Sequence, residues 1–448
     1  MSFLVVPHQA TSSAVTIWVG AVRGDEPRLE LEVGREPSLP LDAGWSSFQA
    51  AGAHHLWWQR VTVDGLAPGT RYPLRLLEQG AERAQGTAVT LPASLPRLDE
   101  QPFICLLGSC FALLNDQAGA AGAAYAALPA GARPSVKFLC GDQVYLDAPF
   151  PKYLFNVYPE PQLRSELLAT YLASWTQAGD RRGFNELLRD GATWFCSDDH
   201  ELWNNAPSPT PIVRATWWPL GDGGAAWLRA AGSLYDIFQT PSRSSSFEVG
   251  QLSFRVLDTR LGRLRDRSLF ADAAAVSAVA GWVAGLQGPG VLVVGQPIFV
   301  AQTGLRGHLT DWGLADFGQF GELARALSAS QHDVVVLTGD VHFGRVAGCR
   351  LPSGASLLEI IASPFALIDA RFGGKWSRPP HTFPAAAVEG ISPAPIWVSD
   401  HQLATNHFAT LEFADDGGRV QLTMRAWPIP TSPGQAPVSR LVMSRQLN

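Results

Sequence analysis

The amino-acid sequence predicts an α/β protein, a layered α/β-sandwich, preceded by a small all-β sandwich. Up to about residue 95, apolar and polar residues alternate, which is the pattern of strands buried on one face. Pro92, Pro96 and Pro102 then mark a linker. Beyond it, short apolar runs without alternation are separated by longer helical segments, as in sheets covered by helices. We therefore predict two domains, residues 1–95 and 100–448.

The first domain contains four runs that read as strands. They are Val15–Val19, Leu29–Val33, Trp57–Val63 and Pro73–Leu77. The segment Leu66–Tyr72 resembles the tyrosine corner of fibronectin-like sandwiches, in which a Tyr hydroxyl bonds back to the preceding backbone. These features predict a β-sandwich.

The second domain contains seven short, near-continuous apolar runs, which predict strands buried on both faces. They are Phe103–Leu107, Val136–Leu139, Trp194–Cys196, Phe254–Leu257, Val291–Val294, Val334–Leu337 and Leu357–Ile361. Three segments between them are predicted to be helices: Gln162–Thr176, Ala271–Leu286 and Gly318–Ser328.

The charge and cysteine content exclude several classes of protein. With 34 basic and 40 acidic residues, the net charge of −6 gives no general attraction to nucleic acid or to an anionic membrane. The five cysteines are an odd number without regular spacing, which argues against a disulfide framework. The first residues carry no recognisable signal peptide and no apolar run is long enough to span a membrane, so we expect a cytoplasmic protein.

Four predicted strands end in residues of the kinds that bind metals. The motifs are Gly108–Cys110, Gly141–Tyr145, Asp198–Glu201 followed by Asn204-Asn205, and Gly339–His342. Ligands of open α/β sheets lie beyond the carboxyl ends of the strands, and a glycine before each Asp permits a sharp turn there. We therefore expect the four motifs to converge on one cleft.

A cleft with several carboxylates needs cations, because the carboxylates otherwise repel one another. The chain has only three lysines, and two metal ions that share a bridging carboxylate would supply the missing positive charge. Taken singly, each motif has a plainer explanation: a Gly-Asp turn, a hydrogen-bonded His, or, for Cys110, a buried thiol. The four motifs together favour a metal site.

These motifs resemble those of the PhoD-like (alkaline phosphatase D type) branch of the calcineurin-like metallophosphoesterases. The resemblance covers roughly residues 100–425, where Val256–Arg260 and Glu359–Pro364 also look like strands of the family. It implies a layered metallophosphoesterase domain, and residues 1–95 are similar to the small β domain that precedes it. Thr310–Gly313 departs from the Trp-Asp-Gly-Tyr segment of the family.

The resemblance implies a dinuclear site with Fe3+ and Ca2+, although other divalent metals are possible. Carried over residue by residue, the iron ligands would be Cys110, Asp142, Tyr145 and His342. Asp142 would bridge to the second metal, which Asp340 would also bind. An oxygen from the third motif would complete that site, either from Asp199, which is favoured, or from Asn205. Oxygen ligands suit calcium or magnesium.

Three further residues have expected roles in catalysis, each with an alternative. His200 would protonate or stabilise the leaving oxygen. Glu201 would orient the His200 ring, or would be a helix-start carboxylate. Arg260 would bind the substrate phosphate, or form a surface salt bridge. Trp217 and Trp218 are expected to shape the substrate entrance.

The expected function is hydrolysis of a small-molecule phosphate ester, a monoester or a diester, by a metal-bound hydroxide. The alternative is a non-catalytic binding or adhesion protein with a degenerate hydrolase domain, which would bind no metal. A metal oxygenase is a third hypothesis, and it fits less well because the motifs lack two histidines and one carboxylate around an iron.

Overall fold

The computed structural model describes residues 2–34, 37–49, 55–116, 119–148, 159–176, 184–209, 222–304, 307, 311–367, 378–432 and 435–448. The strands in these ranges are β1 (Ser2–Ala10), β2 (Ala14–Arg23), β3 (Leu29–Val33), β4 (Leu39–Leu41), β5 (Ser46–Phe48), β6 (His55–Asp64), β7 (Arg71–Glu78), β8 (Ala81–Val89), β9 (Phe103–Gly108), β10 (Val136–Cys140), β11 (Ala192–Cys196), β12 (Ser244–Val249), β13 (Leu252–Leu257), β14 (Gly290–Val294), β15 (Val334–Thr338), β16 (Gly344–Arg350), β17 (Ser356–Ile361), β18 (Thr382–Phe383), β19 (Ala394–Leu403), β20 (His407–Asp416), β21 (Arg419–Pro428) and β22 (Arg440–Leu447). The α-helices are α1 (Ala120–Ala126), α2 (Glu160–Trp175), α3 (Asn185–Leu188), α4 (Asp222–Phe238), α5 (Ala273–Ala284) and α6 (Phe320–Ser328).

The first eight strands form two antiparallel four-stranded sheets, in the orders β1-β2-β6-β5 and β4-β3-β7-β8. The hydroxyl of Tyr72 accepts a hydrogen bond of 2.7 Å from the backbone N–H of Ala67, as the tyrosine-corner pattern predicts. Val5 and Ile17 from these sheets belong to the same apolar cluster as Leu107 and Phe254 from the rest of the chain. The division into domains at residue 95 stays a prediction.

The remaining strands form two mixed sheets. One has the order β11-β10-β9-β20-β21-β22, with β9, β10 and β11 parallel. The other has the order β12-β13-β14-β15-β17-β16-β19-β18, with β13, β14, β15 and β17 parallel. The seven apolar runs predicted to be strands and the three segments predicted to be helices are strands and helices in the structure, with ends shifted by a few residues.

The mixed sheets pack face to face, and helices cover their outer faces. Phe138 of one sheet lies 5.8 Å from Phe254 of the other, measured between ring centroids. On the outer faces, β9 and β10 pack with α1 and α2, and β14 and β15 pack with α5 and α6. Because both faces of each parallel strand are buried, most side chains are apolar whichever way they point, and this explains the near-continuous runs. Among the described residues, no helix combines the length and hydrophobicity that a membrane span requires.

Candidate metal centre

The four motifs lie where the carboxyl ends of β9, β10, β11 and β15 meet. The first three strands are parallel neighbours in one sheet, and β15 comes from the other sheet. A Cβ atom on Gly339 would lie 2.3 Å from Oγ of Ser109 and 2.6 Å from the carbonyl oxygen of Cys140. Gly339 is therefore needed for the close approach of the two sheets. Gly141 has the turn conformation expected from the sequence, with φ at +88°.

The backbone at the motifs is held in an uncommon conformation. Cys110, Asp142, Asn205, Asp340 and His342 all have positive φ, between 51° and 68°. Gln79 and Arg267 are the other non-glycine residues with positive φ in the described ranges. Such a conformation costs of order 1–3 kcal/mol at each position, and it is concentrated at functional sites. Five of seven such positions therefore fall on residues singled out as metal ligands.

A first cluster contains the four residues expected to hold iron. The Sγ of Cys110, a carboxylate oxygen of Asp142 and a ring nitrogen of His342 all lie within 4.8 Å of one another. The hydroxyl of Tyr145 lies 3.4 Å from Oδ2 of Asp142 and 3.4 Å from Nε2 of His342. The structure thus brings thiol, carboxyl, phenol and imidazole groups to one point.

A second cluster consists of three carboxylates, from Asp142, Asp198 and Asp340, which also lie within 4.8 Å of one another. Asp142 belongs to both clusters, which is the position expected of a bridging ligand. The cluster with Asp340 contains Asp198, whereas the sequence favours Asp199 as the ligand from this motif. Adjacent aspartates after a strand are not distinguished by their spacing, and here the backbone directs the first of the two toward Asp340.

Asp199 and Asn205 lie next to each other at the third motif. One oxygen of Asp199, Oδ2, accepts the backbone N–H of Asn205 at 2.6 Å, and Asp199 forms a cluster with Asp142 and His200. The side-chain oxygen of Asn205 accepts the backbone N–H of Trp312 at 3.3 Å, and its nitrogen donates to the carbonyl of Gly307 at 3.2 Å. Both side chains therefore take part in the hydrogen bonds that shape the loop.

The imidazole of His200 is fixed by Asp147. Its Nδ1 lies 2.8 Å from Oδ1 of Asp147, and its ring stacks on Tyr145 with the centroids 4.1 Å apart. Nε2 lies 3.9 Å from Oδ1 of Asp199. Burial opposes a positive charge on the ring, but the carboxylates of Asp147, Asp199 and Asp142 outweigh it and raise the pKa of His200 well above its ordinary value.

Glu201 does not orient the His200 ring, which corrects one of its two expected roles. Its carboxylate accepts backbone N–H groups from Asp142 (2.9 Å), Gln143 (2.6 Å) and Asp198 (2.9 Å). It is therefore the helix-start carboxylate of the alternative, and it also fixes the turn after β10. Burial raises the pKa of Glu201 to about 7, although the three backbone N–H groups favour its ionised form.

The contacts of Arg260 differ from both expected roles, a contact to the substrate phosphate and a surface salt bridge. Its side chain is fully buried, so it forms no surface salt bridge. Nε donates to Asp198 (2.6 Å), Nη1 to the carbonyl of Ala206 (3.0 Å) and to Asp311 (3.1 Å), and Nη2 contacts Asp198 and Asp311. All three nitrogens of the guanidinium thus contact Asp198, Asp311 or the carbonyl of Ala206, so the group is held by neighbouring residues of the protein. Arg260 instead holds Asp198 in place.

The donor set fits metal ions. Burial raises the pKa of Cys110, Asp142, Tyr145 and Asp340 well above their ordinary values, and neighbouring acidic groups raise it further. A multiply charged cation at this point would favour the anionic form of all four groups. Oδ2 of Asp198 is buried without a hydrogen-bond partner in the described structure, as expected of an oxygen that binds a cation.

Four residues at the site were not among its predicted members: Asp147, Asp198, Gln296 and Asp311. Asp198 lies inside a recognised motif, so only its role was missed. Asp311 comes from the segment that departs from the family pattern, and Gln296 donates to Asp340 at 3.0 Å and also contacts Asp311. No spacing signal in the sequence could have connected Asp147 with His200. Trp217 and Trp218 lie outside the described residues.

Comparison with known proteins gives a likeness in structure. No protein-family model matches the chain, and no curated protein matches it. A solved structure of PhoD superposes on it with a TM-score of 0.66, covering 99% of this chain and 91% of that chain at 15% sequence identity. The chain therefore has the PhoD fold, a mixed α/β architecture, and its metal-type clusters lie at the ends of the strands of that fold.

Proposed function

We propose that this protein is a metal-dependent hydrolase of small-molecule phosphate esters, with iron at the first cluster and a hard cation such as calcium at the second. The observation that carries the proposal is that two compact clusters of donors share Asp142. Thiolate, phenolate and carboxylate suit a highly charged iron, and carboxylate oxygens suit calcium or magnesium. Bound metals would polarise the phosphoryl oxygens and acidify a water molecule.

The protein side chains have separate tasks in this proposal. Asp198 and Asp340 would hold the second cation, and Arg260 and Gln296 keep them in position through hydrogen bonds of 2.6 and 3.0 Å. His200, with Nδ1 held by Asp147, would present Nε2 to the leaving oxygen and donate a proton to it. Glu201 would act only as a positioning residue.

Elemental analysis combined with two assays tests the proposal. Purified wild-type protein is expected to contain iron and calcium and to hydrolyse p-nitrophenyl phosphate or bis(p-nitrophenyl) phosphate. Asp142→Asn should lose both metals. Its kcat/KM should fall by more than about 100-fold, because removing a bridging ligand exceeds the roughly 10–100-fold cost of removing an outer partner.

Asp64→Asn is the matched control, because Asp64 is exposed at the end of β6. It should keep the metals and the activity. If wild-type protein contains no metal and turns over neither ester, the non-catalytic alternative is the better account. Unchanged metal content and turnover in Asp142→Asn would also contradict the proposal.

A further inference from the structure

A polar cavity lies away from the metal centre, between the N-terminal strands and the six-stranded sheet. It has a volume of about 120 Å³, whereas a single water molecule needs roughly 10–15 Å³. Its walls include His8 of β1, Arg60 of β6, Thr193 of β11 and Gln239, which follows α4. The cavity is thus roomy enough for a small ligand, and both parts of the chain build it.

Three polar side-chain atoms in the wall are buried without a hydrogen-bond partner in the described structure. They are Nε2 of His8, Nε of Arg60 and Oγ1 of Thr193. His8 is 3% exposed and Thr193 is 1% exposed. Buried polar groups are normally hydrogen-bonded, and each one left unpaired costs about 1–3 kcal/mol. A group of three around one cavity indicates a place for a polar ligand.

The charge in the cavity favours an anion. The guanidinium of Arg60 donates to the backbone carbonyls of Asp236 (2.5 Å) and Ile237 (2.8 Å), and within the described ranges no ion pair holds it. The carboxylate of Asp236 is paired with Arg243 at 2.6 Å. None of the described residues that line the cavity is acidic. Arg60 therefore brings a largely uncompensated positive charge, which a buried anion would neutralise.

We propose that this cavity binds a small oxyanion. Nε–H of Arg60 and the hydroxyl of Thr193 would donate to its oxygens, and the ring of His8 would form the wall of the cavity beside them. Trp18 and Phe195 flank the His8 ring, with centroids 6.4 and 5.5 Å away, so its orientation is fixed.

The cavity is connected by hydrogen bonds to the metal centre. Nε2 of Gln239 donates to the side chain of Gln143 at 2.6 Å and lies 3.4 Å from Oε1 of Glu201. Glu201 in turn holds the backbone of Asp142 and Asp198. An occupant that contacts Gln239 would therefore touch the same network that fixes two candidate metal ligands.

Isothermal titration of phosphate, sulfate and acetate into the full-length Asp142→Asn protein tests this site without relying on turnover. We expect one binding event that Thr193→Val, added to that variant, weakens at least tenfold, because a hydrogen bond to a charged group is lost. Arg60→Gln should weaken it further. Thr193→Val removes a hydroxyl that has no partner, so the variant should fold normally. Thr338→Val, which removes another buried hydroxyl without a partner and lies outside the cavity, is the control and should leave binding unchanged.

Two results would overturn the proposal. One is that none of the three anions binds at millimolar concentration, which would mean that the cavity holds only water. The other is that binding occurs but is the same in the Thr193→Val and Arg60→Gln variants, which would place the anion elsewhere. Neither result bears on hydrolysis, which the metal and turnover measurements test separately.

Discussion

The replacement of Glu201 by Gln separates the positioning role of this residue from its contribution to folding. The carboxylate is fully buried and accepts three backbone N–H groups, two at Oε2 and one at Oε1. Gln has the same shape but only one acceptor oxygen. Wherever its NH2 group lies, it faces at least one backbone N–H, so a donor meets a donor.

The cost follows from these contacts. A hydrogen bond to a charged acceptor contributes about 1.5–3 kcal/mol, and an unpaired buried N–H adds a desolvation penalty. Glu201→Gln should therefore lower the free energy of unfolding by about 2–4 kcal/mol. The affected N–H groups belong to residues that carry or adjoin candidate metal ligands. Loss of such a support weakens metal binding by roughly 10–100-fold.

Asp333→Asn is the matched control. Asp333 is buried and accepts the backbone N–H groups of Ser356 (2.6 Å) and Asn448 (3.1 Å). It precedes β15, whereas Asp340 follows that strand, so roughly 20 Å of chain separate the two. This variant should lose a similar amount of stability while its metal affinity stays at the wild-type value.

Urea titration gives the stability of both variants, and chelator competition followed by elemental analysis gives their metal affinity. We expect two similar losses of stability and one loss of metal affinity. If Glu201→Gln is destabilised and yet binds metal as wild type does, Glu201 has a purely structural role. Equal losses of metal affinity in both variants would mean that metal binding only follows global stability.

Three further predictions concern other groups. Tyr145→Phe should remove the charge-transfer band between tyrosinate and Fe(III) from the visible spectrum of the iron-loaded protein and leave only the absorption of the Cys110 thiolate on iron; an unchanged spectrum contradicts the Tyr145 assignment. Asp147→Asn removes a negative charge from beside His200 and so lowers the pKa of the ring, and the alkaline limb of the kcat–pH profile should move to lower pH; an unmoved limb argues against His200 as the acid. Burial lowers the pKa of His407 from 6.5 to about 4, so the unfolded state binds the extra proton between these values, and about 3 kcal/mol of stability should be lost as the pH falls through them. Urea titrations at pH 7 and pH 4 should show a smaller loss in His407→Gln than in wild type, and an equal loss would exclude His407 as its source.

The sequence predicts most of the fold because its patterns are physical requirements of these layers. Strands buried on both faces are mostly apolar on both, so Val334–Leu337 is recognisable without a structure, and so is Val136–Leu139, in which Lys137 is the single polar residue. The same applies to Cys110 and Asp142, because β9 and β10 are parallel neighbours whose carboxyl ends lie at one edge, whereas His342 joins them from the other sheet.

The direction of individual side chains could not be predicted in the same way. Asp198 and Asp199 are adjacent, and only the local backbone decides which of them faces Asp340. Arg260 is the type of residue that binds phosphate, but its guanidinium contacts Asp198 and Asp311 instead. Asp311 comes from a segment that is distant in the sequence, so this contact could not be foreseen. Contacts of this kind depend on loops, and loops carry no periodic pattern in the sequence.

The strained backbone of the site shows that the surrounding fold, more than the ligand residues, sets the geometry. Five non-glycine residues at positive φ cost together roughly 5–15 kcal/mol, which is comparable to the net stability of a whole domain. This cost must be offset by structure that exists before any metal binds. The stabilisation comes from the packing of the two sheets, the close contact at Gly339 and the hydrogen bonds of Glu201 and Arg260. Changing a supporting residue should therefore alter metal affinity even though that residue never touches the metal.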